Sequence, residues 1–254
     1  MPTILLTVEY EGTAYCGWQR QAAAPTIQAA LENAIAVISR EAVTVTGAGR
    51  TDAGVHALAQ TAHFVTGASL PPEAWRRALN ALLPDDIAII NAEIVRDDFH
   101  ARFSALSKAY RYTIVNRPPP SPLARRTAWH LPRPLHLAAM RRAASSVVGC
   151  RDFAAFRAAD PTHAASDDTV CRLSRCVISR RGDVLTIDVE GNRFLKYMVR
   201  NIVGTLAEVG LGKRRPGEVR TILESRDRRN AGVTAPPHGL TLVAVTYPES
   251  DAPR

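Results

Sequence analysis

AVTVTGAGRTDAGVHALAQTAHFVT, residues 42–66, places two β-rich runs on either side of a glycine-punctuated loop, and its pattern decides how the flanking chain is read. Residues 42–47 and 60–66 are expected as strands, with GAGRTDAG as the loop between them. Upstream, Ile4, Leu6, Val8 and Tyr10 alternate with Leu5, Thr7 and Glu9, the period-2 signal of a strand with one buried face. Thr26 is suited to cap a helix, and Ile27, Leu31, Ala34, Ile35 and Ile38 fall on one stripe behind it, which predicts a helix over 26–39. Downstream of Pro71 and Pro72, the residues Trp75, Leu79 and Leu82 recur at helical spacing over 72–83, and IAIINAEIV (87–95) is again a strand. The first half therefore reads βαββαβ.

The second half follows a similar plan. Strands are expected near 109–115, 127–131, 171–180, 183–190 and 240–247, and helices over 135–148, 194–210 and 216–225. The polar segments 116–126 and 157–168 read as surface loops because Pro, Asp and Ser interrupt both periodicities. Two such units define an α+β protein with two ferredoxin-like domains, each an antiparallel sheet with helices on one face. The expected domains are 1–105 and 106–254.

Charge divides along the same line. Residues 1–103 carry 7 basic and 11 acidic side chains, whereas 104–254 carry 25 and 13, so the net +8 of the chain comes from its second half. Only Lys108, Lys196 and Lys213 are lysines; the other cations are arginines, whose planar forks grip phosphate bidentately. A polyanionic partner suits this balance. Cys16, Cys150, Cys171 and Cys176 are too few and too irregularly spaced for a disulfide scaffold, and no CxxC pair points to zinc. The alternating start has no leader-like apolar region and no run reaches membrane-spanning length, so a cytoplasmic protein without a membrane partner is expected.

The loop GAGRTDAGVHA (47–57) invites comparison with phosphate cradles, and the spacing rejects it. A GxGxxG fingerprint from Gly47 would need glycine where Asp52 stands, and no Gly-Lys-Ser/Thr ending is present. A carboxylate in the cradle would also repel the ligand. The glycines instead permit a sharp path that presents Asp52. Arg50, two residues earlier, would leave an extended segment on the same face, and a guanidinium there would keep the carboxylate ionised for attack on carbon or proton abstraction.

GRTDAGVHA closely resembles the signature of the tRNA pseudouridine synthase A family, and further family-like strings follow in order: YEGTAYCGWQRQ (10–21), TIQAALENAI (26–35), FHARFSALSKAYRYTI (99–114), RDFAAFR (151–157), NRFLKYMVRNIVGTLAEVG (192–210) and HGLTLVAVTYP (238–248). The resemblance spans essentially the whole chain. It implies a homodimer, free of metal and cofactor, that isomerises uridine to pseudouridine at positions 38, 39 and 40 of the tRNA anticodon stem-loop. It also implies that Asp52 is the catalytic residue, in a cleft between the two domains, and that Tyr110 packs on the target base. By the same resemblance Arg200 pairs with Asp52 or a substrate oxygen, Arg102 displaces the target nucleotide or holds its phosphate, and Leu240 lines the base pocket. From the residues alone, Tyr110 and Tyr112 share one face of a strand and suit a core, as does Leu240. His56 is assigned a structural role. The chain departs from the family pattern at Arg151, where histidine is usual, and at Lys196 and Tyr197, where arginine and histidine are common.

Two other classes fit less well. A non-catalytic RNA-binding module would carry the K/R-G-F/Y-G/A-F-V-x-F/Y string, which is missing. A glycosidase would set a second carboxylic acid beside Asp52, and none is evident.

Overall fold

The computed structural model describes residues 1–158 and 168–248. In chain order the described elements are β1 (Thr3–Tyr10), α1 (Ile27–Ser39), β2 (Thr46–Gly47), β3 (His56–Val65), α2 (Pro72–Leu82), β4 (Ile87–Val95), β5 (Ser107–Val115), β6 (Trp129–His130), α3 (Leu137–Ser145), β7 (Gly149–Asp152), β8 (Val170–Arg181), β9 (Val184–Gly191), α4 (Met198–Gly210), α5 (Glu218–Ser225) and β10 (Leu240–Thr246). The class is mixed α+β. The chain forms two compact units, Met1–Lys108 with the segment from Thr241, and Ala109–Leu240. The segment from Thr241 onward, with most of β10, groups with the first unit.

In the first unit β1 is central. It pairs antiparallel with β3, from Thr3 opposite Val65 to Tyr10 opposite Ala57, and antiparallel with β4, from Thr3 opposite Val95 to Tyr10 opposite Ile87. The free side of β3 is shared: Thr46 and Gly47 of β2 run antiparallel against its far end, and Thr241 and Leu242 of β10 run parallel beside His56 and Ala57. Ile4, Leu6, Val8 and Tyr10 are buried, as the alternation requires. On the opposite face Leu5 joins Ala48, Phe99, Ala101 and Tyr247 in a second, smaller core.

The helices of this unit follow their caps and stripes. The Thr26 hydroxyl accepts from the Ala29 N–H at 3.4 Å, and α1 stops at Arg40, which takes the left-handed φ of 59°. Ile27, Leu31 and Ile35 are fully buried. Pro72 opens α2, and its Trp75 packs edge-on against Phe64 of β3 at 5.2 Å between centroids. Leu82, expected on the same stripe, is about half exposed because it closes the last turn.

One expected strand shrinks. Of 42–47 only Thr46 and Gly47 pair with a neighbour, because side chains of α1 take the backbone of Val45: its N–H donates to Glu32 at 3.0 Å and its carbonyl accepts from Gln28 at 3.1 Å. Gln28 and Glu32 are themselves buried and hydrogen-bonded to each other, and Arg20 forms an ion pair with Glu32. Their carboxylate and amide satisfy the groups that a strand partner would otherwise satisfy.

In the second unit the ladder runs β5-β9-β8-β7, with β6 parallel to β5. The run 127–131 is reduced to the two residues of β6, and β7, not expected, pairs antiparallel with Val170–Leu173. Helix α4 begins at Met198 rather than 194 because Tyr197 adopts φ 64°, which a right-handed helix cannot include. The loop expected at 157–168 lies mostly outside the described residues.

Candidate active site

The Asp52 loop is held from below by the first turn of the chain. The Tyr10 hydroxyl meets the Thr51 hydroxyl at 2.8 Å, the Trp18 N–H donates to the Thr51 carbonyl at 3.1 Å, and the Gly54 N–H donates to the Tyr15 carbonyl at 3.3 Å. Burial pushes the Tyr10 phenol up to about 12, partly offset by its hydrogen bonds to Thr51 and Gln60, so it stays a neutral partner at physiological pH. The other strand of the loop is fixed by the Ala48 N–H to the Thr61 carbonyl at 2.7 Å and by the Gln60 amide to the Gly49 carbonyl at 2.8 Å. Thr51 and Val55 are buried, whereas Asp52 between them is partly exposed. A turn from the Asp52 carbonyl to the Val55 N–H, 3.1 Å, brackets Gly54 at φ 76°. The close approach from below needs Gly17: with φ 89°, a Cβ there would sit 2.5 Å from the Thr51 carbonyl oxygen.

His56 completes this clamp. Its ring is buried, and Nδ1 accepts from the Gly12 N–H at 2.9 Å. Arg50 is exposed, two residues before the partly exposed Asp52.

Arg102 is likewise exposed, on a turn that is firmly anchored. The Ala101 N–H donates to His63 Nδ1 at 3.1 Å and its carbonyl accepts from the Tyr247 hydroxyl at 2.7 Å. His100 Nδ1 accepts from the Arg102 and Phe103 N–H groups, and the rings of His63 and His100 lie 4.9 Å apart. His63 also donates to the Thr46 carbonyl, so its neutral ring ties this turn to the strand that leads into the Asp52 loop. Burial first, then the charge of His100, pushes His63 down to about 4. The aromatic Phe103 beside Arg102 is mostly exposed.

In the second unit Tyr110 is buried and meets Phe194 edge-on at 5.0 Å. Tyr112 is fully buried, and its hydroxyl donates to the Pro236 carbonyl at 2.8 Å. Arg200 is partly buried; its Nε donates to the Ala235 carbonyl at 2.8 Å and its guanidinium lies 4.7 Å over the Tyr197 ring. Lys196 approaches the same ring at 5.6 Å, so the two departures from the family pattern, Lys196 and Tyr197, form one unit with Arg200. Leu240 is buried at the start of β10. Sequence reasoning did not anticipate the polar core beneath Arg200. Asn201 and Thr205 are fully buried; Asn201 donates to the Phe156 carbonyl at 2.7 Å and accepts from Thr234 and Arg228. The signal was an asparagine inside the apolar run MVRNIVG, where only a satisfied partner makes burial tolerable.

Among the described residues no group of three or more His, Cys, Asp or Glu side chains is arranged to hold a metal, and no helix is long and apolar enough to cross a membrane. In the first unit, Asp52 is partly exposed on a hydrogen-bonded loop, and Arg50 and Arg102 are exposed. The family model described as tRNA pseudouridine synthase matches residues 6–104 and 143–248. Similar proteins include the tRNA pseudouridine synthase A of Thermoanaerobacter sp. (strain X514), 46% identical over 97% of this chain and 100% of its own length, and those of Geotalea uraniireducens (strain Rf4), 50% identical over 97% and 100%, and Myxococcus xanthus, 47% identical over 97% and 92%. The chain belongs to the tRNA pseudouridine synthase family. It is an isomerase acting on tRNA uridine.

Proposed function

We propose that the protein converts uridines 38, 39 and 40 of the tRNA anticodon stem-loop to pseudouridine, with Asp52 as the catalytic carboxylate. The observation that carries this reading is the presentation of Asp52, partly exposed between two buried, hydrogen-bonded neighbours, Thr51 and Val55. Rigid placement of a reacting group is what raises its effective concentration. The reaction breaks the bond from N1 to C1′, turns the uracil and joins C5 to C1′, so no atom is gained or lost and no external redox partner is called for. Asp52 engages the uridine by adding to C6, by attacking C1′ or by removing a sugar proton to give a glycal. In each route water must be kept out until C5 is joined, since hydrolysis would release uracil.

Tyr110 is the platform that receives the extruded base, recovering part of the unstacking cost. Arg200 serves the Asp52 carboxylate or a substrate oxygen, Leu240 lines the base, and the exposed Arg50 and Arg102 contact the RNA backbone. The resemblance supports a homodimer of two-domain, ferredoxin-like subunits working in the cytoplasm without metal or cofactor. The test is to incubate the purified protein with an unmodified tRNA transcript and map the product. Pseudouridine at 38–40 without free uracil is expected; released uracil, or pseudouridine confined to other sites, overturns the proposal.

A further inference from the structure

We propose that Tyr197 is a positioning residue for Arg200: its ring is the support on which the guanidinium is set for the reaction. The inference rests on the reading of Arg200 as a group that serves the Asp52 carboxylate or a substrate oxygen. It assigns a role to a position at which the chain departs from the family pattern.

The starting observation is a backbone outlier. Among the described residues three that are not glycine have positive φ: Arg40, Tyr197 and Arg226. Arg40 and Arg226 follow α1 and α5, where a left-handed residue is the ordinary way to close a helix. Tyr197 instead precedes the first residue of α4, with φ 64° and ψ 0°, and its side chain makes no capping hydrogen bond. Its conformation is held from both sides. The Lys196 carbonyl accepts from the Ala158 N–H at 2.9 Å, and the Tyr197 carbonyl accepts from the Asn201 N–H at 2.9 Å. Glycine or asparagine would adopt this backbone with less strain than an aromatic residue. A strained residue points to a use for its side chain.

That use is visible at the ring. Arg200 Cζ lies over it at 4.7 Å from the centroid, and Lys196 Nζ at 5.6 Å. Lys196 is exposed whereas Arg200 is partly buried, so the attraction of the ring face counts for more beneath the arginine. Arg200 is also held along its backbone and at Nε: Nε donates to the Ala235 carbonyl at 2.8 Å, and the Ala235 N–H donates to the Arg200 carbonyl at 3.1 Å. The segment carrying Ala235 is itself tied to α4, through the Gly232 N–H to the Thr205 hydroxyl at 2.9 Å and the Val233 N–H to Glu208 at 3.1 Å. A planar group fixed at Nε and laid over a ring keeps little freedom at its terminal nitrogens.

The test is the single-turnover rate of pseudouridine formation on an unmodified tRNA transcript at saturating protein, with tRNA affinity and melting temperature measured on the same variants. Tyr197→Phe keeps the ring and should retain most of the rate. Tyr197→Asn removes the ring and suits the left-handed backbone. Its rate should fall roughly tenfold or more, toward the roughly 100-fold that an ångström of misplacement produces. Its affinity should stay within about twofold, since no phosphate contact is removed. Its melting temperature should change by no more than about 3 °C, relief of the left-handed tyrosine offsetting the lost ring contacts. Tyr197→Leu, which keeps apolar bulk without the π face, should lose rate similarly and keeps the test decisive if the asparagine variant folds poorly. Arg200→Ala should lose at least as much, and adding Tyr197→Asn to it should remove nothing further, whereas a general folding defect would add its own loss. Wild-type rates in both Tyr197→Asn and Tyr197→Leu, or a full further loss in the double variant, overturn the positioning role alone. A wild-type rate in Arg200→Ala would defeat the reading of Arg200 and the inference with it.

Discussion

His63→Gln should flatten the dependence of stability on pH, and the size of the effect follows from the ring's surroundings. His63 is held neutral between the Ala101 N–H, which it accepts at 3.1 Å, and the Thr46 carbonyl, to which it donates. A proton on Nδ1 would face the Ala101 N–H and break that bond. In the unfolded chain the imidazole takes up a proton as pH falls through about 6.5, whereas the folded ring resists until about 4. Unfolding therefore gains a proton across this window, and stability that is fully present above about pH 6.5 is lost as pH falls toward 4. The displacement corresponds to about 3 kcal/mol at about 1.4 kcal/mol per tenfold change in proton affinity, which solvent screening of a partly exposed ring reduces to about 1–2 kcal/mol. Glutamine does not titrate. At about pH 7.5 the variant should be less stable by about 1–2 kcal/mol through the lost hydrogen bonds, and that gap should close by a similar amount at about pH 4.5. Urea denaturation of both proteins at a series of pH values measures it. Parallel curves, with a gap constant across the window, would refute the neutral clamp.

Gly17→Ala should lower stability by at least about 1–2 kcal/mol from its left-handed backbone alone, and the displaced Thr51 carbonyl should reduce turnover by roughly 100-fold per ångström of misplacement; wild-type kinetics would remove the clamp from the account. Asn201→Ala strands the buried Phe156 carbonyl and removes the acceptor of Arg228 and Thr234, and should cost about 2–3 kcal/mol in denaturant unfolding, with a smaller loss indicating that water replaces the amide. Tyr110→Ala should reduce kcat/KM by roughly 10- to 100-fold through lost stacking while Tyr110→Phe retains most of it; equal losses in both variants would place the importance in the hydroxyl.

Much of the fold was legible because its signals are local. The alternation in β1, the Thr26 cap and the Pro72 start each depend on residues within one element, and all three fall within a residue or two of expectation. What escaped depends on distant partners. Nothing in AVTV shows that Gln28 and Glu32 will occupy the backbone of Val45, and nothing before Tyr197 shows that its left-handed conformation delays α4 by four residues. The same distinction holds at the site. The glycine spacing around Asp52 was readable as a presentation loop, but the clamp by Tyr10, Trp18 and Gly12 joins segments about forty residues apart. Arg50 and Asp52 are the more exposed residues on either side of the buried Thr51, the alternation that their two-residue spacing suggests.

The most direct test is a single-turnover reaction of tRNA with the Asp52→Asn protein, a nearly isosteric change that removes the carboxylate. Pseudouridine should fall below detection while affinity for tRNA stays within a few-fold of the wild type. Pseudouridine formed at a comparable rate by the asparagine variant would contradict the account.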